Sequence, residues 1–312
     1  MSALPTLVIG GWLGSGKTTL VNHLLRHAGG RRIAVLVNDF GSSSVDADLI
    51  ESEDGALRTL AGGCICCAIG SELVEALWQL PAQWPGIEQV VIETSGLAQP
   101  DAVARAAGLV TSVTISGKVV LACAATVRAR AEDPFVGDLV RAQLAAADLI
   151  VINQVDRVAP EALAATRDWL NVLAPGCPQM EAVRGELPPD LLLGSWDASP
   201  KVAGLGTRLP AADHRFAALS VPAPGRYQLH ALVQTLSDPA LGLLRVKGVL
   251  RDAQGRWTVL QGVGTRIECS PPRPGSAAGR GKSEACLTAI GPAGAVDEAG
   301  LCARLAAACC LD

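Results

Sequence analysis

The first part of the chain alternates short apolar runs with longer segments of helical periodicity. Each apolar run is bounded by Gly, Asp, Asn or Pro, as expected for strands that are buried on both faces of a parallel sheet. The predicted strands are Leu7–Ile9, Ile33–Val37, Val90–Ile92, Val119–Leu121 and Leu149–Ile152, and the helices between them include Thr19–His27, Glu72–Gln79 and Asp138–Ala146. This alternation predicts a doubly wound α/β domain with a mainly parallel sheet over residues 1–193.

The pattern changes near Gly194. Residues 194–214 are rich in Gly, Pro, Ser and Ala, which predicts a linker. Residues 215–312 then predict a smaller α+β carboxyl-terminal domain. Its predicted strands are Phe216–Val221, Leu243–Leu250 and Arg256–Gly262, and its predicted helices are Tyr227–Leu236 and Glu298–Ala308.

Composition and charge narrow the class of protein. The chain is 49% hydrophobic and 18% charged, and it has no apolar run long enough to span a bilayer, so we expect no membrane partner. The net charge is −4, and Lys and Arg are scattered, so we expect no nucleic-acid partner. The first residues carry no basic region ahead of an apolar core. We therefore expect a cytoplasmic protein, in which the ten cysteines stay reduced.

A phosphate-binding loop is predicted between the first strand and the first helix. Residues Gly11–Thr18 fit the pattern G-x-x-x-x-G-K-[ST] in that context. Its glycines allow backbone N–H groups to wrap the β-phosphate, Lys17 reaches the β- and γ-phosphates, and the Thr18 hydroxyl can bind Mg²⁺. Lys17 and Thr18 are predicted catalytic residues. The predicted nucleotide contacts here are Gly11, Gly14, Ser15, Gly16, Lys17, Thr18 and Thr19.

A second acidic motif, Glu93-Thr94-Ser95-Gly96, directly follows the predicted strand Val90–Ile92. A carboxylate at the carboxyl end of a strand beside the phosphate loop is where the Mg²⁺ shell is bound in such folds. Glu93 is therefore the third predicted catalytic residue and a predicted Mg²⁺ ligand. The Gly96 N–H can reach the γ-phosphate, so the loop after it can respond to hydrolysis.

The segment Asn153-Gln154-Val155-Asp156 is predicted to bind the base. A carboxylate such as Asp156 can accept hydrogen bonds from guanine N1–H and the 2-amino group, a donor pair that adenine lacks. We assign base-binding roles to Asn153, Gln154 and Asp156. Gln154 can lie flat against the base but brings no charge, so we expect weaker guanine affinity rather than lost selectivity. The alternative is an ordinary strand-end turn that uses Asn and Asp.

Three thiols within four residues, Cys64, Cys66 and Cys67, predict a site for Zn²⁺ or Co²⁺, because thiolates prefer such ions. Three ligands with an open position suit a site that must release its metal, and the fourth ligand is not evident. A redox-active pair and a chance cluster remain as alternatives. Asp39 lies where a switch loop is expected. It can meet the Mg²⁺ water shell or the thiol-bound ion, or belong to a solvated turn.

Taken together, these motifs resemble the CobW-like GTPases and metallochaperones, relatives of HypB, UreG and MeaB. The matching segments are Gly11–Thr19, Asn38–Gly41, Gly62–Cys67, Glu93–Pro100, Gln143–Asp148, Asn153–Asp156 and Leu244–Gly248. The resemblance implies GTP hydrolysis, with Mg²⁺, coupled to binding of zinc or cobalt and its delivery to a metalloprotein client.

The chain departs from that family's pattern at four places. Gln154 stands where the family has Lys, and Asp39 where it more often has Glu. The strand that ends near Ala124 lacks the usual Asp, and there is no histidine-rich stretch among the four histidines. We therefore expect slow intrinsic hydrolysis and no metal storage by histidines.

Two other functions fit parts of the sequence. One is a P-loop kinase or ligase that uses ATP on a small metabolite, with structural cysteines. The other is a scaffold that binds nucleotide without hydrolysing it. The sequence does not identify the client protein, distinguish zinc from cobalt, or decide the oligomeric state, for which a homodimer stays open.

Overall fold

The computed structural model describes residues 3–38, 56–60, 68–193, 207–209, 216–272 and 285–310. These residues fall into two compact units, which divide the chain between Pro189 and Asp190. Along the described parts of the chain, no helix has both the length and the apolar character needed to cross a bilayer.

The amino-terminal unit contains a sheet of seven strands in the order β3-β2-β4-β1-β5-β6-β7, in which every neighbouring pair is parallel. The strands are β1 (Leu4–Gly11), β2 (Ile33–Asn38), β3 (Ala56–Leu60), β4 (Gln89–Glu93), β5 (Val113–Cys123), β6 (Leu149–Asn153) and β7 (Gln179–Ala182). The helices are α1 (Lys17–Arg26), α2 (Ala68–Gln83), α3 (Pro100–Ala107), α4 (Val127–Glu132), α5 (Gly137–Ala145) and α6 (Pro160–Leu173). The predicted doubly wound α/β fold is confirmed.

Burial explains why the strand sequences read as continuous apolar runs. Every residue of β1, β4 and β6 is buried, because helices cover both faces of the sheet. One apolar cluster packs β2 and β4 against α2 and α3. Another packs β5 and β6 against α4, α5 and α6. Since all strands run in one direction, the loops that follow β1, β4 and β6 meet at one edge of the sheet.

The carboxyl-terminal unit is an α+β structure, as predicted. Short helix α7 (Pro189–Leu192) precedes it in the chain, and its sheet has the order β13-β12-β11-β14-β9-β8, with β10 paired to β11. The strands are β8 (Thr207–Leu209), β9 (Phe216–Pro222), β10 (Arg226–Tyr227), β11 (Arg245–Asp252), β12 (Trp257–Val263), β13 (Arg266–Ser270) and β14 (Cys286–Pro292). Helices α8 (Leu229–Leu236) and α9 (Glu298–Ala308) contribute Leu232, Leu236, Leu301 and Leu305 to the apolar core.

Several local differences from the sequence predictions arise in this unit, and among them strands β13 and β14 were not predicted. Strand β8 lies inside the segment 194–214 predicted as linker, and its residues pair with β9 from Thr207↔Ser220 to Leu209↔Ala218. Three residues are too few to show an alternating pattern. Tyr227, predicted to begin a helix, lies instead in β10, and the helix begins at Leu229.

Candidate nucleotide-binding site

The loop between β1 and α1 has the backbone conformation that a phosphate-binding loop needs. Gly11, Gly14 and Gly16 have φ values of 134°, 74° and 98°, which are strained for residues with a Cβ. A Cβ at Gly11 would overlap the Leu121 carbonyl oxygen, and one at Gly16 would overlap the Asn153 side-chain amide. Glycine is therefore required at these two positions for both conformation and space.

Lys17 lies at the first residue of α1 and its side chain folds back over the loop. It is buried, with 7% of its surface exposed. Its Nζ donates to the Gly11 carbonyl at 3.0 Å and lies 3.4 Å from the Trp12 carbonyl. The ammonium group is thereby held at the mouth of the loop, beside the N-terminus of α1, where backbone N–H groups favour an anion.

The loop also contains a buried hydroxyl group without a hydrogen-bond partner in the described structure. Ser15 is 1% exposed, and its Oγ has no such partner. A buried donor left unpaired is costly. An anion held by the loop would supply the missing acceptor.

Glu93 and Thr18 meet across the junction between β1 and β4. The Thr18 hydroxyl donates to Glu93 Oε1 at 2.7 Å, although 75 residues separate them in the chain. The parallel register Ile9↔Glu93 places Glu93 beside the start of the loop, and the residue is only 2% exposed. A hydroxyl and a carboxylate oxygen next to a phosphate loop are the hard oxygen donors that suit Mg²⁺.

Asn153, the last residue of β6, joins three segments of the site. Its Nδ2 donates to the Ser15 carbonyl at 2.8 Å, and its Oδ1 accepts from the Gly185 N–H at 2.9 Å. It is 1% exposed. The sequence predicted a contact with the base. The structure adds that this amide holds the phosphate loop, and Gly185 is a partner that no motif indicated.

Gln154 adopts a left-handed conformation with φ 61° and ψ 38°, which is uncommon for a residue with a Cβ. Both polar atoms of its side-chain amide are hydrogen-bonded: Nε2 donates to the Gly14 carbonyl at 3.0 Å, and Oε1 accepts from Arg157 at 3.1 Å. The Cys123 thiol also lies 3.5 Å from Oε1. Gln154 thus connects the β6 end to the phosphate loop without bringing a charge.

Asp156 lies in the short 3₁₀ turn Val155–Arg157 that follows. It is exposed, and its carboxylate has no hydrogen bond to another described residue. The carboxylate is therefore accessible to a ligand at this edge of the sheet.

The segment after Glu93 is tied to α5 by Gln143, a residue to which sequence reasoning gave no role. Gln143 is 1% exposed, and its Nε2 donates to the Gly96 carbonyl at 2.9 Å and the Ala98 carbonyl at 2.8 Å. On the other side, a Cβ at Gly96 would overlap the Leu13 side chain of the phosphate loop. Gly96 is thus packed between the loop and the residues that Gln143 holds. For Gln143, the only sequence signal was its place in the segment Gln143–Asp148, which matches the CobW-like pattern.

Four predicted metal-site residues, Asp39, Cys64, Cys66 and Cys67, lie outside the described residues. Within the described residues, no group of three or more His, Cys, Asp or Glu side chains could hold a metal ion. Of the other cysteines, two are clearly held as thiols. Burial raises the pKa of Cys177 to about 12 and that of Cys269 to about 11. Both fit the packing role expected of isolated cysteines.

Comparison with known proteins agrees with this geometry. The family described as CobW/HypB/UreG, nucleotide-binding domain, matches residues 5–181. The Cobalamin synthesis protein cobW C-terminal domain matches residues 216–309.

Individual relatives match the chain to different extents. Zinc chaperone CobW of Pseudomonas aeruginosa is 34% identical over 226 residues, which are 62% of this chain and 60% of that protein. Zinc chaperone CobW of Sinorhizobium sp is 30% identical over 315 residues, covering 85% of this chain and 86% of that protein. Among solved structures, Zn(II)-bound YjiA GTPase from E. coli covers 99% of the chain at 21% identity, with a TM-score of 0.48. From the two domain matches and the extent of the Sinorhizobium alignment, the chain belongs to the CobW/HypB/UreG family.

Proposed function

We propose that this protein is a GTP-hydrolysing metallochaperone that binds Zn²⁺ or Co²⁺ at Cys64, Cys66 and Cys67 and delivers it to a client metalloprotein. The observation that carries the nucleotide part is the 2.7 Å bond between the Thr18 hydroxyl and Glu93 beside the phosphate loop. The cargo part is supported by the thiol sequence and by two relatives named zinc chaperone CobW.

The phosphate groups of GTP would bind the N-terminus of α1 and the loop before it. The N–H groups of Gly14, Ser15 and Gly16 would line the phosphates. Lys17 would exchange its bonds to backbone carbonyls for bonds to the β- and γ-phosphates, where its charge stabilises the transition state. The buried Ser15 hydroxyl would gain its missing acceptor, so binding would remove an unfavourable feature of the loop.

The oxygen atoms of Thr18 and Glu93 fit Mg²⁺, and Asp39 is a further candidate on sequence grounds. When bound, this ion neutralises charge that develops between the β- and γ-phosphates. Thr18 would hold this ion through its hydroxyl oxygen, and Glu93 would hold it through its carboxylate, which would also keep that side of the site negative. Gln143 holds the Gly96 segment in place, so the Gly96 N–H can meet the γ-phosphate.

Guanine specificity would come from Asp156. Its exposed carboxylate can accept from both guanine donors, while Asn153 and Gln154 hold the adjoining backbone against the phosphate loop. Gln154 uses its amide on the Gly14 carbonyl, and it can stack on the base without adding a charge. This explains why we expect a guanine site of reduced affinity.

Replacing Asp156 with Asn is expected to change the preferred base. The Asn side chain can donate to the 2-oxo group of xanthine but cannot accept from both guanine donors. We expect GTP affinity to fall roughly 10- to 100-fold, since a buried donor without an acceptor costs about 1–3 kcal/mol, while affinity for the xanthine nucleotide rises. Competition against a fluorescent nucleotide measures both.

The control is Asp138→Asn, which removes the same charge from an exposed position in the first turn of α5, where the carboxylate pairs with Arg141. A preference for ATP in the parent chain, or an unchanged base preference in Asp156→Asn, would favour a P-loop kinase or ligase instead.

Nucleotide and metal sites would be coupled through the segments between β2 and β4. In the chain, the thiol sequence lies between β3 and α2, and the Gly96 loop follows β4, which pairs with β1. If the γ-phosphate orders one arrangement of these segments, metal affinity must depend on the nucleotide, and the two affinities shift by the same factor.

Zinc affinity measured with a non-hydrolysable GTP analogue, with GDP and without nucleotide tests this coupling. We expect the values with the analogue and with GDP to differ by about 5- to 150-fold, the usual range for coupled sites. A Cys64→Ser, Cys66→Ser and Cys67→Ser variant should lose the difference while it still binds GTP. Three equal zinc affinities would contradict the proposal.

A further inference from the structure

Two histidines that the nucleotide site does not use lie at the C-terminal end of α1, His23 in its last turn and His27 directly after it. His23 and His27 lie four residues apart, which places them on one face of the helix. Their ring centroids are 4.4 Å apart and the rings are tilted by 35°. His23 is half-buried, and His27 is exposed at the helix end. Solvent therefore reaches the pair from the His27 side.

Hydrogen bonds to backbone carbonyls fix which nitrogen of each ring carries the proton. His23 Nε2 lies 2.8 Å from the Leu187 carbonyl, and His27 Nδ1 lies 2.9 Å from the His23 carbonyl. A carbonyl oxygen only accepts, so each of these nitrogens is the donor. The lone pairs are consequently on His23 Nδ1 and His27 Nε2, and neither has a partner among the described residues. This is the arrangement of metal-ligating histidines, which donate their other N–H to a carbonyl or carboxylate.

The surroundings of the pair keep His23 neutral, and they contain both charges that favour a bound cation and charges that oppose it. Burial lowers the pKa of His23, so its lone pair is retained at neutral pH. The C-terminal end of α1 carries a partial negative charge, which favours a cation. The negative charge of Glu186 acts on His23 and also favours a bound cation, whereas the positive charge of Arg26 opposes one.

We propose that His23 and His27 form a second metal site, which takes one divalent transition-metal ion such as Zn²⁺, Co²⁺, Ni²⁺ or Cu²⁺. Metal–nitrogen bonds of about 2.0–2.1 Å allow one ion to bridge two nitrogens up to about 4 Å apart, and two histidines four residues apart on one helix face are spaced to share an ion. No third His, Cys, Asp or Glu completes the site in the described structure. Water fills the other positions, so binding is weaker and faster to exchange than at a thiolate cluster.

The histidine site is independent of the proposed thiol site. The test of the histidine site therefore uses a chain from which the thiols have been removed. A Cys64→Ser, Cys66→Ser and Cys67→Ser chain, labelled with ¹⁵N, is titrated with Zn²⁺ alone while the imidazole nitrogens are observed by long-range ¹H–¹⁵N NMR. We expect the resonances of His23 Nδ1 and His27 Nε2 to shift, while those of His214 and His230 stay in place. The parent chain should show the same histidine shifts once its thiols are saturated.

His27→Ala in the same background removes one ligand at an exposed position. We expect its Zn²⁺ affinity, measured by competition with a chromophoric chelator, to fall at least tenfold, since even outer-shell losses cost about 10- to 100-fold. His230→Ala, which removes an exposed histidine from α8, should bind Zn²⁺ like the background chain. Equal affinity in His27→Ala, or shifts of all four histidines alike, would overturn the proposal.

Discussion

Replacing Lys17 with Ala is expected to slow phosphate release from GTP by about 10²- to 10³-fold, the usual cost of removing one donor to the transition state. The reason is local. The Lys17 ammonium group lies at the mouth of the loop, 3.0 Å from the Gly11 carbonyl, and is the cation that the phosphate loop itself supplies. Steady-state phosphate release measures the loss of hydrolysis, and binding of a fluorescent GTP analogue measures any loss of nucleotide affinity.

Arg128→Ala is the matched control, because it removes one positive charge from an exposed position of α4 in the same unit. Arg128→Ala should hydrolyse GTP like the parent chain and keep its melting temperature. If the parent chain releases no phosphate from GTP, it is a nucleotide-binding scaffold. If Lys17→Ala hydrolyses at the parent rate, the site is elsewhere.

Replacing Gly16 with Ala is expected to destabilise the amino-terminal unit by about 2–5 kcal/mol. Alanine at φ 98° costs about 1–2 kcal/mol in backbone strain. Its Cβ would also overlap the Asn153 amide, which must then leave the Ser15 carbonyl. Separating these buried partners adds about 1–3 kcal/mol. Urea denaturation, followed by a signal from the amino-terminal unit, measures the change in the free energy of unfolding.

Gly14→Ala separates conformational strain from the steric clash. Gly14 also has a positive φ, 74°, but a Cβ there would meet nothing within 4 Å. We expect a cost of only about 1 kcal/mol. In an Asn153→Ala background, the clash at residue 16 disappears, so Gly16→Ala should then cost no more than Gly14→Ala. Additive effects of Gly16→Ala and Asn153→Ala would show that the overlap with Asn153 does not cause the loss of stability in Gly16→Ala.

Hydrophobic periodicity predicted the five inner strands of the amino-terminal sheet, because these strands are largely buried on both faces. It missed the two edge strands, β3 and β7, and in β7 buried residues only alternate with partly exposed ones. Each predicted strand there lies within an observed one, and the observed β1 and β4 are longer and end at Gly11 and Glu93. Periodicity was less informative in the carboxyl-terminal unit. Strand β14, Cys286–Pro292, was not predicted, although it lies between β11 and β9. Its Gly and Pro residues weaken the strand pattern, and pairing on both sides together with burial of Leu287 and Ala289 stabilises it.

For the histidine pair, the sequence pattern pointed away from metal binding, because there is no histidine-rich stretch. A spacing of four residues on a helix places two side chains on one face, but it does not say which ring nitrogen is available. That depends on the carbonyl of Leu187, which reaches α1 from a segment far along the chain.

By itself, the sequence determined the α/β class, the glycine-rich loop and the residue types that we predict to bind phosphate, magnesium and base. These features depend on short spacings, which local backbone geometry converts directly into strands, turns and helix starts. Only the tertiary structure decided which distant residues meet: Thr18 with Glu93, Asn153 with Gly185, and Gln143 with the Gly96 segment. Such contacts depend on strand order and on burial of the whole sheet, because many chain separations are compatible with the same local pattern.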